Sequence, residues 1–239
     1  IALRKSLLAL SFLAFFLSTL FSQAFAESIN DFTANVEIKK DGSVLITENI
    51  TYDFGTNQKH GIFRDIPLSA KDGPQLAINI LNIRNEAGID YNYTTSYADN
   101  FLKLRIGDGD KFVSGVKTYS IKYEVLNAIR NFDDHQELYW NVTGNDWQVE
   151  IKNAKAVIIL PDPAMVNHTM TCFTGALGST EKNCVFSQEN GAVTYSTTKE
   201  LNANEGLTTV LGMPLGSIEN KPLEQEPSSY LQESSPNYF

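Results

Sequence analysis

From Val36 to Phe54 the chain alternates with a period of two: Val36 and Ile38, an Asp41-Gly42 turn signal, then Val44, Ile46, Ile50, Tyr52 and Phe54. Successive strand side chains point to opposite faces, so the stretch reads as a β-hairpin with one buried face. One member of the apolar series is a carboxylate, Glu48. Among core residues such a group needs a cation, or it becomes protonated. The following stretch, KHGIFRDIP, offers Lys59, His60 and Arg64. Arg64 is the expected partner, because a guanidinium grips a carboxylate through two hydrogen bonds and stays charged. The stretch then reads as a sheet corner rather than a binding site. Gly61 bends the chain, Ile62, Phe63 and Ile66 anchor it in the core, Asp65 faces solvent and Pro67 ends it.

The same alternation recurs downstream. Leu102, Leu104 and Ile106 share a face, as do Tyr119, Ile121, Tyr123 and Val125, and as do Ile89, Tyr91 and Tyr93. The runs ELYWNV and WQVEI flank TGND, a hairpin signal, and AKAVIIL, GAVTYSTT and GLTTVLGMP follow. Many short strands between Gly, Asn and Asp turns predict an all-β protein, an antiparallel β-sandwich, with at most a short helix near 125–132. One sandwich and two packed β subdomains both fit the pattern.

The N-terminus carries Arg4 and Lys5, a long apolar run, and small residues at Ala24 and Ala26. This is the layout of a secretory signal peptide over residues 1–26, cleaved between Ala26 and Glu27. An uncleaved membrane anchor is the competing reading. A folded domain spans 27–218, and 219–239, rich in Pro, Glu and Ser, reads as a disordered linker. The net charge of −9 and the absence of any Lys/Arg cluster argue against nucleic acid as a partner. Export makes a disulfide the default for the only two cysteines, Cys172 and Cys184.

No catalytic residue, cofactor or metal site emerges. Asp108 and Asp110 in GDGDK lack the further ligands of a calcium loop. Asp133, His135 and Glu137 can share a strand face and are candidate ligand contacts, although a solvated acidic loop is the ordinary outcome for such a run. Trp140 and Trp147, with Tyr139, are candidates for an aromatic platform under sugar rings. Core packing is favoured for Trp140, which has the parity of Leu138 and Val142, and Trp147 stays a candidate. Asn49, Asn92, Asn141 and Asn167 match a glycosylation triplet that matters only in a host that uses it.

Five stretches in order, DGSVLITENITYDF, HGIFRDIP, ELYWNVTGNDW, TCFTGALGSTEKNC and GLTTVLGMPLGSI, resemble the bacterial predicted membrane proteins that carry domain of unknown function 2207. The resemblance extends to Ile218. It implies a signal peptide, an extracytoplasmic β-rich domain and then transmembrane helices, and it brings no catalytic residues. The chain starts at Ile1 and ends at Phe239 before any span. It is expected to be a fragment of a membrane-anchored envelope protein on the outer side of the cytoplasmic membrane; a secreted relative is the alternative. The expected function is non-catalytic binding of a protein, peptide or cell-wall polymer. An exported carbohydrate-active or other hydrolytic enzyme with paired carboxylates is the alternative function.

Overall fold

The computed structural model describes residues 26–69, 73–162, 165 and 169–219, so the expected signal peptide before Ala26 and the linker after Glu219 lie outside the described residues. The strands are β1 (Ser28–Ile38), β2 (Val44–Asp53), β3 (Gly61–Pro67), β4 (Ala77–Arg84) and β5 (Tyr93–Ala98). After them come β6 (Phe101–Gly107), β7 (Val116–Leu126), β8 (Ile129–Asn131), β9 (His135–Asn141) and β10 (Glu150–Ile151). The last are β11 (Ala154–Ile159), β12 (Met170–Gly175), β13 (Cys184–Glu189), β14 (Ala192–Thr197) and β15 (Gly206–Pro214).

Three sheets form. The largest runs β13-β14-β11-β1-β2-β7-β4, with β10 also paired to β1. A four-stranded sheet runs β12-β15-β9-β8 and a three-stranded sheet runs β3-β6-β5. Pairing is antiparallel except where β1 meets β10 and β11. More than a hundred residues separate β1 from β11, and a connection that long permits parallel alignment. The buried faces of the sheets close on one continuous apolar cluster. Tyr195 of β14 spans the layers, its hydroxyl donating to the Val210 carbonyl of β15 at 2.8 Å.

The β1–β2 hairpin forms as its alternation dictates. Gly42 takes φ 85° in the turn, and the even residues of β2 from Val44 to Tyr52 are buried, Glu48 among them. The interior face of β6 and the face of β7 from Tyr119 to Val125 are likewise as read.

Three expectations change, while of the at most short helix near 125–132 none forms. β7 continues to Leu126, Asn127 reverses direction at φ 66°, and β8 begins at Ile129. Asn tolerates the left-handed region, and the Asn127 amide is tied to the Gln75 carbonyl at 2.9 Å. TGND does not close a hairpin, because β9 pairs with β15 and β8 while β10 pairs with β1. The Asn141 carboxamide instead accepts from Gly144 N at 3.1 Å and donates to Asn145 at 2.8 Å, which redirects the chain between sheets. Ile89, Tyr91 and Tyr93 share no strand face. Ile89 sits exposed in a turn capped by Asn85, Tyr91 stacks on Tyr119, and β5 begins only at Tyr93.

KHGIFRDIP, finally, is not a corner; its greater part is the strand β3. Period two then puts Ile62, Arg64 and Ile66 inward and Phe63 outward, 69% exposed. Gly61 serves close approach. It faces Gly107 across the β3–β6 ladder at φ 140°, where a Cβ would lie 1.9 Å from the Ile106 carbonyl oxygen. Backbone strain and steric overlap therefore both oppose a side chain there. Gly61→Ala is expected to cost at least about 2 kcal/mol, read as a lower urea midpoint. Unchanged stability would mean that the β3–β6 crossing is looser than described.

Candidate binding groove

The polar centre of the molecule is the Glu48–Arg64 pair, with side chains 0% and 1% exposed. Arg64 Nε donates to one Glu48 oxygen at 2.8 Å and Nη2 to the other at 2.7 Å. Nη2 also donates to the Val142 carbonyl at 3.1 Å, and Nη1 to the Asp65 carbonyl at 2.7 Å. Tyr123 Oη adds a third donor to Glu48 at 2.5 Å. Burial works against the Arg64 charge, but the adjacent Glu48 carboxylate outweighs it and holds the guanidinium firmly protonated. Burial, reinforced by the Glu48 charge, pushes the Tyr123 phenol well above its usual range. A site sealed this way stores no accessible chemistry. Its position is structural, because it links β2 and β7, β3, and the chain just after β9.

A large open groove of about 1030 Å³ lies beside the four-stranded sheet. Tyr139 and Asn141 of β9, Phe173 of β12 and Thr208 of β15 contribute to its lining. The β5–β6 hairpin contributes Asn100 and Phe101, and Pro67 and Ser69 come from the end of β3 and beyond. The hairpin is sharp because Asp99 and Asn100 both take positive φ. The loop from Ala176 to Thr180, where Leu177 stands 86% exposed, lines it as well. Asn145 Nδ2 donates to the Gly175 carbonyl at 3.0 Å, fixing the base of this loop to the turn after β9. Among the described residues the charged side chains in the lining are Arg130 and Asp146.

The Cys172–Cys184 disulfide is present, with Cα atoms 6.3 Å apart. It joins β12 of the four-stranded sheet to β13 of the large sheet, and the groove loop lies inside the ring that it closes.

The sequence candidates fall mostly outside the groove. Trp147 is 7% exposed, packs edge-on to Phe32 and donates from Nε1 to the Thr143 carbonyl at 2.8 Å. It is a core residue, so it offers no ring face to a ligand. His135 stacks on Phe132 and contacts Asp134 at 2.6 Å, while Glu137 turns to Arg130 at 3.6 Å. Asp133 lies in the exposed loop before β9, off the face that His135 and Glu137 share. The three therefore do not converge, and among the described residues no group of three or more His, Cys, Asp or Glu side chains is placed to hold a metal. Asp65 is half-buried rather than solvated, and reaches Lys103 at 3.3 Å. Asp108 caps its own turn and pairs with Lys111.

Ala26 is exposed, and Glu27 is tied to Tyr52, Asn57 and Lys59. Burial pulls the Glu27 carboxyl up, but these partners together hold it below its ordinary range. Of the suggested aromatic platform, Tyr139 and Trp140 both border the groove, Tyr139 from the half-buried face of β9 and Trp140 from a position whose side chain belongs to the core. The remaining lining was missed in the sequence. The one available signal was Tyr139 itself, an aromatic on the otherwise polar parity of its strand.

Fold and groove define the class: an all-β, disulfide-stapled sandwich with a broad, nearly uncharged trough beside one sheet. A family model described as the N-terminal domain of predicted membrane proteins (DUF2207) matches residues 28–213, and the chain belongs to that family. It is 30% identical over 167 residues to the Uncharacterized protein YciQ of Escherichia coli (strain K12), covering 67% of this chain and 26% of that protein. The chain thus spans about a quarter of that relative's length. Leukotriene A4 hydrolase of Saccharomyces cerevisiae is similar at TM-score 0.47 and 8% identity, over 80% of this chain and 30% of that one. An M1 zinc metallopeptidase of Deinococcus radiodurans is similar at TM-score 0.42 and 7% identity, over 79% and 42%. At these values neither structural likeness bears on what this chain does.

Two measurements check the site's framework. Arg64→Ala strands a buried carboxylate and is expected to cost about 3–5 kcal/mol. Glu48→Gln combined with Arg64→Met should recover only part of this, since the Val142 and Asp65 carbonyls still lose their donor; full additivity of the two single losses in chemical denaturation would refute the coupling. The disulfide should resist alkylation under native conditions and contribute about 3 kcal/mol. Reduction should lower the melting temperature while the β circular-dichroism signal persists below the transition; rapid native labelling of both thiols would contradict this.

Proposed function

We propose that this chain is a non-catalytic, extracytoplasmic binding module of a membrane-anchored envelope protein, and that the groove beside the four-stranded sheet is its binding site. The groove is the observation that carries the reading. Ligand sites are concave, largely apolar, and furnished with a few placed polar groups, and this one joins aromatic rings to amides and hydroxyls from three separate chain regions. Two further facts support the location: the family is described as predicted membrane proteins, and a disulfide fits an oxidising compartment. Among the described lining residues Asp146 is the one carboxylate, whereas glycoside hydrolysis ordinarily works with two. The natural partners for such a trough are the surface polymers, peptides or proteins of the envelope.

The test is sedimentation of the purified chain with washed envelope fractions. Retention is expected, together with at least about a tenfold loss for Tyr139→Ala or Thr208→Lys, both at half-buried positions where the fold tolerates change. No retention, or equal retention of both variants, would overturn the reading.

A further inference from the structure

Resting on the groove as the binding site, we infer that its ligand is an uncharged oligosaccharide strand. The backbone of the floor gives the first reason. β15 is hydrogen-bonded to β12 on one side and β9 on the other, and β9 to β15 and β8. β15, the central strand of the floor, therefore has no free ladder to offer an extended peptide, which gains most of its affinity by strand addition at a sheet edge, whereas β12 is an edge strand and β9 is registered to β8 only from Gln136 to Leu138. Recognition falls to the side chains standing on the sheet.

Those side chains alternate in chemistry. Phe173, Thr208 and Asn141 lie opposite one another in register and form one row across the sheet. Tyr139 stands in the next row, two residues and roughly 7 Å along the strand. Ring, hydroxyl, amide and ring therefore recur at short intervals. A sugar ring has an apolar C–H face and an equator of hydroxyls, and this pattern meets both. Lys182 and Lys103 each lie against the ring of Phe173 and Phe101, at 5.5 and 5.9 Å. Tyr139 stands as the ring for direct stacking.

Charge selects the kind of saccharide. Among the described lining residues Arg130 and Asp146 carry one charge of each sign. Arg130 is engaged by Glu137 and Phe132, Lys103 beside Phe101 is paired with Asp65 and Asp99, and Lys182 adds a cation beside Phe173. On a chain of net charge −9, this nearly balanced trough suits a neutral strand, and an anionic polymer meets long-range repulsion. The volume of about 1030 Å³ lies at the upper end of the about 300–1,000 Å³ of a site for a drug-sized ligand and has room for more than one sugar ring.

The experiment is isothermal titration of the full chain with chitohexaose and cellohexaose, beside an oligogalacturonate and an unstructured neutral peptide. Binding of a neutral hexasaccharide is expected, at least about tenfold weaker in Tyr139→Ala and in Thr208→Lys, with melting temperatures showing that each variant is folded. Phe173→Ala provides a third readout should either fail to fold. The inference falls if neither neutral hexasaccharide binds at millimolar concentration, if the peptide or the oligogalacturonate binds more tightly, or if all folded variants bind like the parent chain. Groove-dependent retention on envelope fractions without hexasaccharide binding would refute the sugar and leave the module standing. Loss of both would refute both.

Discussion

A single guanidinium inside a dry interior holds the three sheets in one arrangement. Arg64 extends from the three-stranded sheet, is clasped by Glu48 of the large sheet, and donates to the carbonyl of Val142 at the end of the four-stranded sheet. Lysine would not substitute, because one ammonium cannot present the flat fork that meets two carboxylate oxygens and still reach two carbonyls. The surroundings fit this geometry: Tyr123 supplies another donor to Glu48, Phe32 lies 5.5 Å from the guanidinium, and a Cβ on Gly144 would come within 2.7 Å of Nη1. A hydrophobic replacement of equal volume is often no less stable, yet apolar contacts are non-directional. What the ion pair contributes is a fixed relation between layers.

The groove depends on that relation. Its lining is drawn from different sheets, the β5–β6 hairpin and the β12–β13 loop among them, so its shape follows from how the layers are locked. The disulfide pins the β12–β13 loop to the large sheet just where the loop leaves β12 and returns to β13. Asn145, bonded to both Asn141 and the Gly175 carbonyl, connects floor to loop. An open trough with a rigid frame loses little freedom on binding, which is how modest contacts become useful affinity. Capture of a ligand is the use proposed for this trough, on a domain whose family is that of predicted membrane proteins.

Local physics made much of this fold readable from the residues. Period two assigned the buried faces of β1, β2, β6 and β7, since neighbouring side chains on a strand cannot share a face. The same rule, applied to KHGIFRDIP as a strand, would have put Phe63 outside once Ile62, Arg64 and Ile66 were inside; reading it as a corner concealed that. Trp147 was open to two readings because its surroundings, Phe32 and Tyr52, come from more than ninety residues away.

The sequence by itself determined an all-β chain, a charged core position requiring a cation, and a cysteine pair suited to bridging. Each follows from the chemistry of residues within one strand or one short loop. Only the tertiary structure decided which strands pair, that β1 meets β11 in parallel, that TGND redirects the chain rather than closing a hairpin, and that Tyr139, Phe173, Phe101 and Thr208 border one groove. The physical reason is that backbone hydrogen bonds between strands are the same for every residue type. Pairing order is therefore settled by how whole faces pack, and a surface assembled across sheets exists only after that packing is complete.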